Sequence, residues 1–357
     1  MGLDSGASRR PGSGAVLFYR KNKKEINPER FSGSMYDIIT VGGATEDVFI
    51  RTKNPEIMKK GHIHEVCYPI GTKVLVDEIF FDTGGGGTNS AVAFSRLGLK
   101  TAFIGKLGDD HGANEILEQF KKEKIDFLGN VEKGMTGYSV ILIGIEKDRT
   151  ILTYKGVVDD LKAGDVDFGK IRAKWLYVSS MIGESFKTAE KIVRLAKKKK
   201  IRYAFNPSTY LAKKGIGGLK NFISGCDLLV LNREEAGYLC GKAKKTDELL
   251  KKLQKFAKIV VITDGKNGAY AYNGIEKYRV MPRKIRVVET TGAGDAFASG
   301  VTAGIIQKKT LEDSLRMGQL DAESVIQHIG AKNNLLRKDE IERLLKAKHV
   351  KIISKRM

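Results

Sequence analysis

From Met35 onward the chain alternates apolar runs of strand length with amphipathic segments of helix length, and that rhythm leaves few folds open. The strand-like runs are Asp37 to Val41, Thr101 to Gly105, Trp175 to Ser179, Ile201 to Asn206, Leu228 to Asn232 and Ile259 to Thr263. Between them, apolar residues recur at helical spacing over Asn89 to Arg96, Asn114 to Glu123 and Thr188 to Lys198. Strands spaced by helices return parallel to one another, so the pattern predicts an α/β protein with a doubly wound, mostly parallel sheet and helices on both faces. Two stretches break the rhythm. Val74 to Phe81 alternates like a half-exposed strand, and Tyr138 to Ile145 followed by Thr150 to Tyr154 reads as a hairpin turning at Glu146 to Arg149. Strands without helices, inserted into such a chain, predict a small β-sheet lid above the main sheet.

The composition fits one large globular body or two small ones: 357 residues, 41% of them apolar and 29% charged. The longest apolar runs are far short of the roughly 18 residues of a membrane span. Cys67, Cys226 and Cys240 are widely spaced with no C-x-x-C pair, which argues against a disulfide framework or a structural zinc site and for a cytoplasmic location. His62 and His64 lack zinc spacing and are expected at the surface. With 63 Lys and Arg against 42 Asp and Glu, the net charge is +21. The Lys residues are scattered, often beside Glu or Asp, so nucleic acid is not the expected partner. Residues 1–34 read as a basic, flexible extension or as sequence ahead of the true start at Met35, and the folded body is expected over 35–349.

Two glycine-rich segments carry the chemistry. The first, Asp82 to Ala91, sets four successive glycines, Gly84 to Gly87, ahead of a helix and brings Asn89 into its first turn. Glycines in such number disfavour regular structure and let backbone come close to a ligand. The second, Glu289 to Phe297, leads into a helix from Ala296 to Gln307. Small residues at a helix start leave N–H groups pointing outward with the positive end of the helix dipole, a setting for a phosphate. Asp295 at this point is either a plain N-cap or a base that takes a proton from a hydroxyl attacking the bound phosphoryl group. Neither segment is a P-loop, and neither completes G-x-G-x-x-G.

These segments, in this order, resemble the ribokinase-like (PfkB-type) carbohydrate and nucleoside kinases. Thr291-Gly292-Ala293-Gly294-Asp295 is that family's signature, and ordered support comes from Gly42 to Asp47, Gly84 to Asn89, Gly105 to Gly112, Asn206-Pro207, Asn232 to Ala236 and Thr263 to Gly268. The resemblance implies an ATP-dependent kinase acting on a primary hydroxyl of a sugar or nucleoside. Asp295 would be the catalytic base, and the N–H groups of Gly292, Ala293 and Gly294 the anion hole. Asp47, Gly85, Gly86 and Asn89 would hold the substrate; Asn232, Glu235, Thr263, Gly265, Gly268 and Asn333 would lie at the nucleotide, with Glu235 organising Mg²⁺ through water. Glu289 would be one ligand of a monovalent cation such as K⁺. The lid would comprise about 50–81 plus 137–154, and its strands would pair between the protomers of a homodimer. Tyr138, Tyr154 and Phe80 are available either to stack on a base or to pack the lid.

The chain departs from the ribokinase pattern with Thr45 for Asn, Gly86 for Lys and Glu289 for Asp, so the resemblance leaves the exact substrate open. A non-catalytic ligand-binding or regulatory protein on the same fold is the alternative from another class. Intact Asp295 and an unbroken Gly292 to Gly294 turn count against it.

Overall fold

A computed structural model describes residues 35–52, 56–60, 63–143, 149–241 and 245–357. The extension 1–34, His62 and most of the expected hairpin turn at 146–149 fall outside them. The chain opens with β1 (Tyr36–Val41) and passes through β2 (Thr45–Arg51), β3 (Glu56–Lys60), β4 (Ile63–Cys67) and β5 (Glu78–Gly84) into α1 (Gly86–Arg96). There follow β6 (Thr101–Ile104), β7 (Lys106–Leu107), α2 (His111–Lys122), β8 (Asp126–Phe127), β9 (Asn130–Val131), β10 (Gly137–Ile143) and β11 (Arg149–Tyr154). The next run is β12 (Ala173–Val178), α3 (Gly183–Lys198), β13 (Arg202–Phe205), α4 (Thr209–Ala212), α5 (Gly215–Ile223), β14 (Cys226–Asn232), α6 (Arg233–Cys240), α7 (Thr246–Gln254) and β15 (Ala257–Thr263). The chain ends with β16 (Ala269–Tyr272), β17 (Glu276–Val280), α8 (Ala293–Ile306), α9 (Leu311–Val325), α10 (Lys338–Ala347) and β18 (Ile352–Arg356).

Among the described residues, ten strands make the main sheet in the order β18-β17-β16-β15-β14-β13-β12-β1-β6-β8. From β8 to β15 every pairing is parallel, whereas β16, β17 and β18 join antiparallel. Alternate strand residues feed two separate cores. Ile38, Trp175, Tyr177, Leu228 and Val230 pack under α1, α2, α8 and α9. Ile39, Val41, Leu176, Val178 and Leu229 pack under α3, α5, α6 and α7. Strands buried on both faces and helices on each side are the doubly wound arrangement that the sequence predicts. The chain first builds from β1 toward β6 and β8, then resumes on the opposite side of β1 at β12. Such a reversal opens a crevice beyond the carboxyl ends of the two strands, where ligands bind in open α/β sheets.

The lid is a separate four-stranded sheet, β11-β10-β2-β5. It starts at Thr45, not near residue 50, because β2 follows β1 after only three residues. Its second strand is Glu78–Gly84; the alternating residues 74–77 that were expected to begin it lie outside any strand. The main sheet also runs past the expected boundary at 349, since Ile352–Arg356 pairs with β17.

One buried acid sets a pH dependence. Asp321 of α9 is fully buried; one carboxyl oxygen accepts the N–H of Leu336 at 2.8 Å, and the other has no hydrogen-bond partner among the described residues. Burial pushes its pKa up to about 7. Unfolded, it would titrate near about 3.9, so the folded state holds a proton that the unfolded state releases between these values. Its contribution is full below the unfolded value and is lost as pH rises toward 7. Asp321→Asn should therefore melt higher than the parent at pH 8, with the gap closing toward pH 4, as read by calorimetry.

Candidate functional site

The crevice at the reversal of strand order brings together Gly86, Asn89 and Asp295 from the two glycine-rich segments. Gly42 leaves β1, Ser179 leaves β12, and α1 begins against both: a side chain on Gly87 would meet the Gly42 backbone at 2.7 Å, and one on Gly86 would meet Ser179 Oγ at 2.4 Å and Asp295 Oδ1 at 3.4 Å. The glycine run is therefore not a free loop. Its second half is the first turn of α1, three residues ahead of the expected start, and only Gly85, at φ 94, keeps a loop conformation.

On the opposite wall, Gly292 is the N-cap of α8 at φ 79, and Ala293, Gly294 and Asp295 form the first turn. Asp295 does not cap the helix. Its Oδ2 instead accepts from Asn89 Nδ2 at 2.8 Å, across the crevice. That bond removes the plain N-cap reading and leaves a carboxylate facing the crevice. Burial holds its pKa above the ordinary carboxylate range, opposed by Asn89 and by the positive charge of Lys332. Four N–H groups at a helix start have no intrahelical partner, so this turn offers donors to an anion.

The lid supplies a second carboxylate. Asp47 on β2 lies opposite both Asp82 on β5 and Ser139 on β10, so the three share the face turned toward the crevice. Asp47 is 5% exposed, accepts from Thr45 Oγ1 at 2.7 Å, and has its pKa raised by burial. Thr45, a departure from the ribokinase pattern, thus orients the carboxylate. The same alternation sorts the aromatics. Phe80 pairs with Phe49 on the crevice face, whereas Tyr138 and Tyr154 pair with each other on the far face and cannot stack on a ligand in the crevice.

The expected nucleotide residues divide. Asn232 and Thr263 are register partners at the ends of β14 and β15. Gly265 and Gly268 form the short turn from β15 into β16. Glu235 stands in a capping box with Asn232: its Oε2 accepts the Asn232 N–H at 2.9 Å, while its Oε1 has, among the described residues, only Thr209 Oγ1 at 3.5 Å. Burial pushes its pKa up to about 7. A buried carboxylate with one oxygen lightly held fits a cation reached through water. Asn333 is placed elsewhere: its amide donates to Ile329 O at 2.7 Å and to Asp82 Oδ2 at 3.2 Å, so it bonds to the lid. Glu289 is 1% exposed, with Oε1 accepting the Thr291 N–H at 2.6 Å and Oε2 without a hydrogen-bond partner among the described residues. That orphaned oxygen fits a cation.

Two residues at the site carry no motif. Arg149, at the start of β11, donates to Thr290 Oγ1 at 2.5 Å and stands 3.7 Å from Glu289 Oε1, tying the lid to the turn ahead of α8. Lys332, in the loop after α9, is 1% exposed and donates to Asn89 Oδ1 at 3.3 Å. Its neighbour Ala331 presses on Gly292, and contact, not sequence pattern, finds Lys332.

Comparison with known proteins agrees with the geometry. Residues 57–338 match the profile of the pfkB family carbohydrate kinases. A 5-dehydro-2-deoxygluconokinase from Clostridium perfringens is 32% identical over 68% of this chain and 78% of its own length. A ribokinase from Schizosaccharomyces pombe is 27% identical over 84% of this chain and 95% of its own. Among solved structures, the adenosine kinase of Sinorhizobium meliloti superposes with a TM-score of 0.75 at 20% identity, covering 88% of this chain and 99% of that one.

Proposed function

The chain belongs to the pfkB family of carbohydrate kinases and is a phosphotransferase for a sugar or nucleoside; from that premise we propose that it transfers the γ-phosphoryl group of ATP to a primary hydroxyl, with Asp295 as the base. The observation that carries this reading is the placing of the Asp295 carboxylate at the first turn of α8, facing Asn89 and Asp47 across the crevice. The substrate hydroxyl oxygen attacks the γ-phosphorus while its proton passes to Asp295. The bond from that phosphorus to the oxygen bridging to the β-phosphate breaks, and ADP leaves. The N–H groups of Gly292, Ala293 and Gly294 would hold the charge on the transferring oxygens, a setting in which one donor is worth about 2.7 to 4 kcal/mol. Mg²⁺ at Glu235 and Asn232, through water, would neutralise phosphate charge. Glu289 Oε2 would take a monovalent cation such as K⁺. Thr263, Gly265 and Gly268 would line the nucleotide. A lid-paired homodimer in the cytoplasm belongs to the same reading.

Asp47 and Asp82, side by side on the lid, accept hydroxyls and repel phosphate, so the acceptor is read as an unphosphorylated ring. A coupled assay over ribose, fructose, fructose 6-phosphate, 5-dehydro-2-deoxygluconate, adenosine, cytidine and inosine tests this. Fructose 6-phosphate should have the lowest kcat/KM of the panel. Turnover of none of them would overturn the substrate class, and preference for the phosphosugar would overturn the role of the two carboxylates.

A further inference from the structure

Lys332 stands out among the buried groups that the proposed chemistry leaves unused. It is 1% exposed, and among the described residues its side chain makes a single hydrogen bond, to the neutral Asn89 at 3.3 Å. An ammonium carries three donors and is costly to bury without a close carboxylate. A core built for stability alone would place an apolar side chain there. The groups around it give the reason for a charge: Asp82 from β5, Asp47 from β2 and Asp295 from α8, with Arg96 of α1 as a neighbouring cation. Arg96 is itself engaged, by Glu123 at 2.6 Å and by the carbonyl of Lys332 at 3.2 Å. Asp295 also feels Arg149 from the lid, Glu235 from α6 and Tyr177 from β12, and Asp47 also bonds Thr45 and Ser139.

We propose that Lys332 is a positioning residue for phosphoryl transfer, acting through Asn89 on Asp295. By donating to Asn89 Oδ1 it fixes which end of the amide faces the base, so that Nδ2 is held on Asp295 Oδ2 at 2.8 Å. Its charge sits among three carboxylates and opposes their protonation in a buried setting. Burial lowers the pKa of Lys332 itself to about 8, which leaves it charged at neutral pH. This inference rests on Asp295 being the base.

The test is the pH dependence of kcat in Lys332→Met and Lys332→Gln. Without the charge, Asp295 should take up a proton more readily, moving the acid limb up by about one pH unit in both variants. The glutamine, which keeps a donor for Asn89, should retain more of the plateau than the methionine. A folded variant whose acid limb is unmoved overturns the proposal, as does one whose only change is a raised KM for the acceptor, which would make Lys332 a substrate contact. If neither variant folds, ¹⁵N-lysine NMR of the unaltered protein decides: an ammonium at pH 7 that titrates near 8 supports the role, and a neutral amine at pH 7 overturns it. Loss of activity in Asp295→Asn with no shift in the Lys332 variants sinks this proposal alone; full activity in Asp295→Asn sinks the base assignment instead.

Discussion

Asp295→Asn should lower kcat by about 10² to 10⁴, the usual worth of a positioned base, while leaving nucleotide affinity within a few-fold of the parent. The amide is close to isosteric, and its carbonyl oxygen can accept from Asn89 Nδ2 as the carboxylate does. The crevice should keep its shape, so the loss would be chemical. Stability should move the other way. Burial raises the pKa of Asp295, so holding it ionised costs the folded state stability relative to the unfolded chain. Replacing it with a neutral group removes that penalty, so the inactive variant should melt at or above the parent temperature. Steady-state kinetics, calorimetric nucleotide binding and a thermal melt on one preparation make the check. A kcat within tenfold of the parent would end the assignment of the base.

Gly292→Ala should be the most damaging single methyl group in the site. Gly292 sits at φ 79, and a Cβ there would lie 2.0 Å from the Ala331 carbonyl oxygen. The left-handed conformation costs about 1–2 kcal/mol for a residue with a Cβ, and forcing atoms into a packed interior adds about 1–3. The loop that would have to move is the one carrying Lys332 and Asn333, so activity should fall along with stability. Gly294→Ala is the control within the same turn. It lies in the helix, and an added Cβ meets nothing within 4 Å. Alanine should therefore keep or raise stability, by up to about 1 kcal/mol. If a phosphoryl group occupies the open space in front of the turn, Gly294→Ala should lose activity while folding normally. Equal destabilisation of the two variants in urea unfolding would contradict this account of the turn.

Legibility in the sequence followed the physics of each element. The parallel strands Asp37 to Val41 and Leu228 to Asn232 are continuous apolar runs because both of their faces are buried, and they could be read directly. The antiparallel strands Ala269–Tyr272, Glu276–Val280 and Ile352–Arg356 were missed: each is four or five residues long, and the last is mostly exposed. Helix starts were read late at both glycine-rich segments. Low helix propensity argues for a loop there, yet Gly86 and Gly87 stand in the first turn of α1, where Ser179 and the Gly42 backbone leave no room for a Cβ and so require glycine. Asp47, Asn89 and Asp295 could be singled out in the sequence because each stands in a contiguous motif. Lys332 and Arg149 were not, since each reaches the site from a distant segment through tertiary contact. Asn333 was assigned to the nucleotide from its segment alone, whereas its side chain bonds to Asp82.

The C-terminal strand has a practical consequence. Residues 352–356 shield the open edge of β17, which in turn pairs with β16, the strand that leaves the Gly265–Gly268 turn. An expression form trimmed at the motif-based boundary of 349 would leave five unpaired backbone positions at that edge and loosen the hairpin behind the turn. Bare edges of this kind recruit other chains. A trimmed protein should associate during purification and bind nucleotide less tightly, and an affinity tag is better carried at the other terminus.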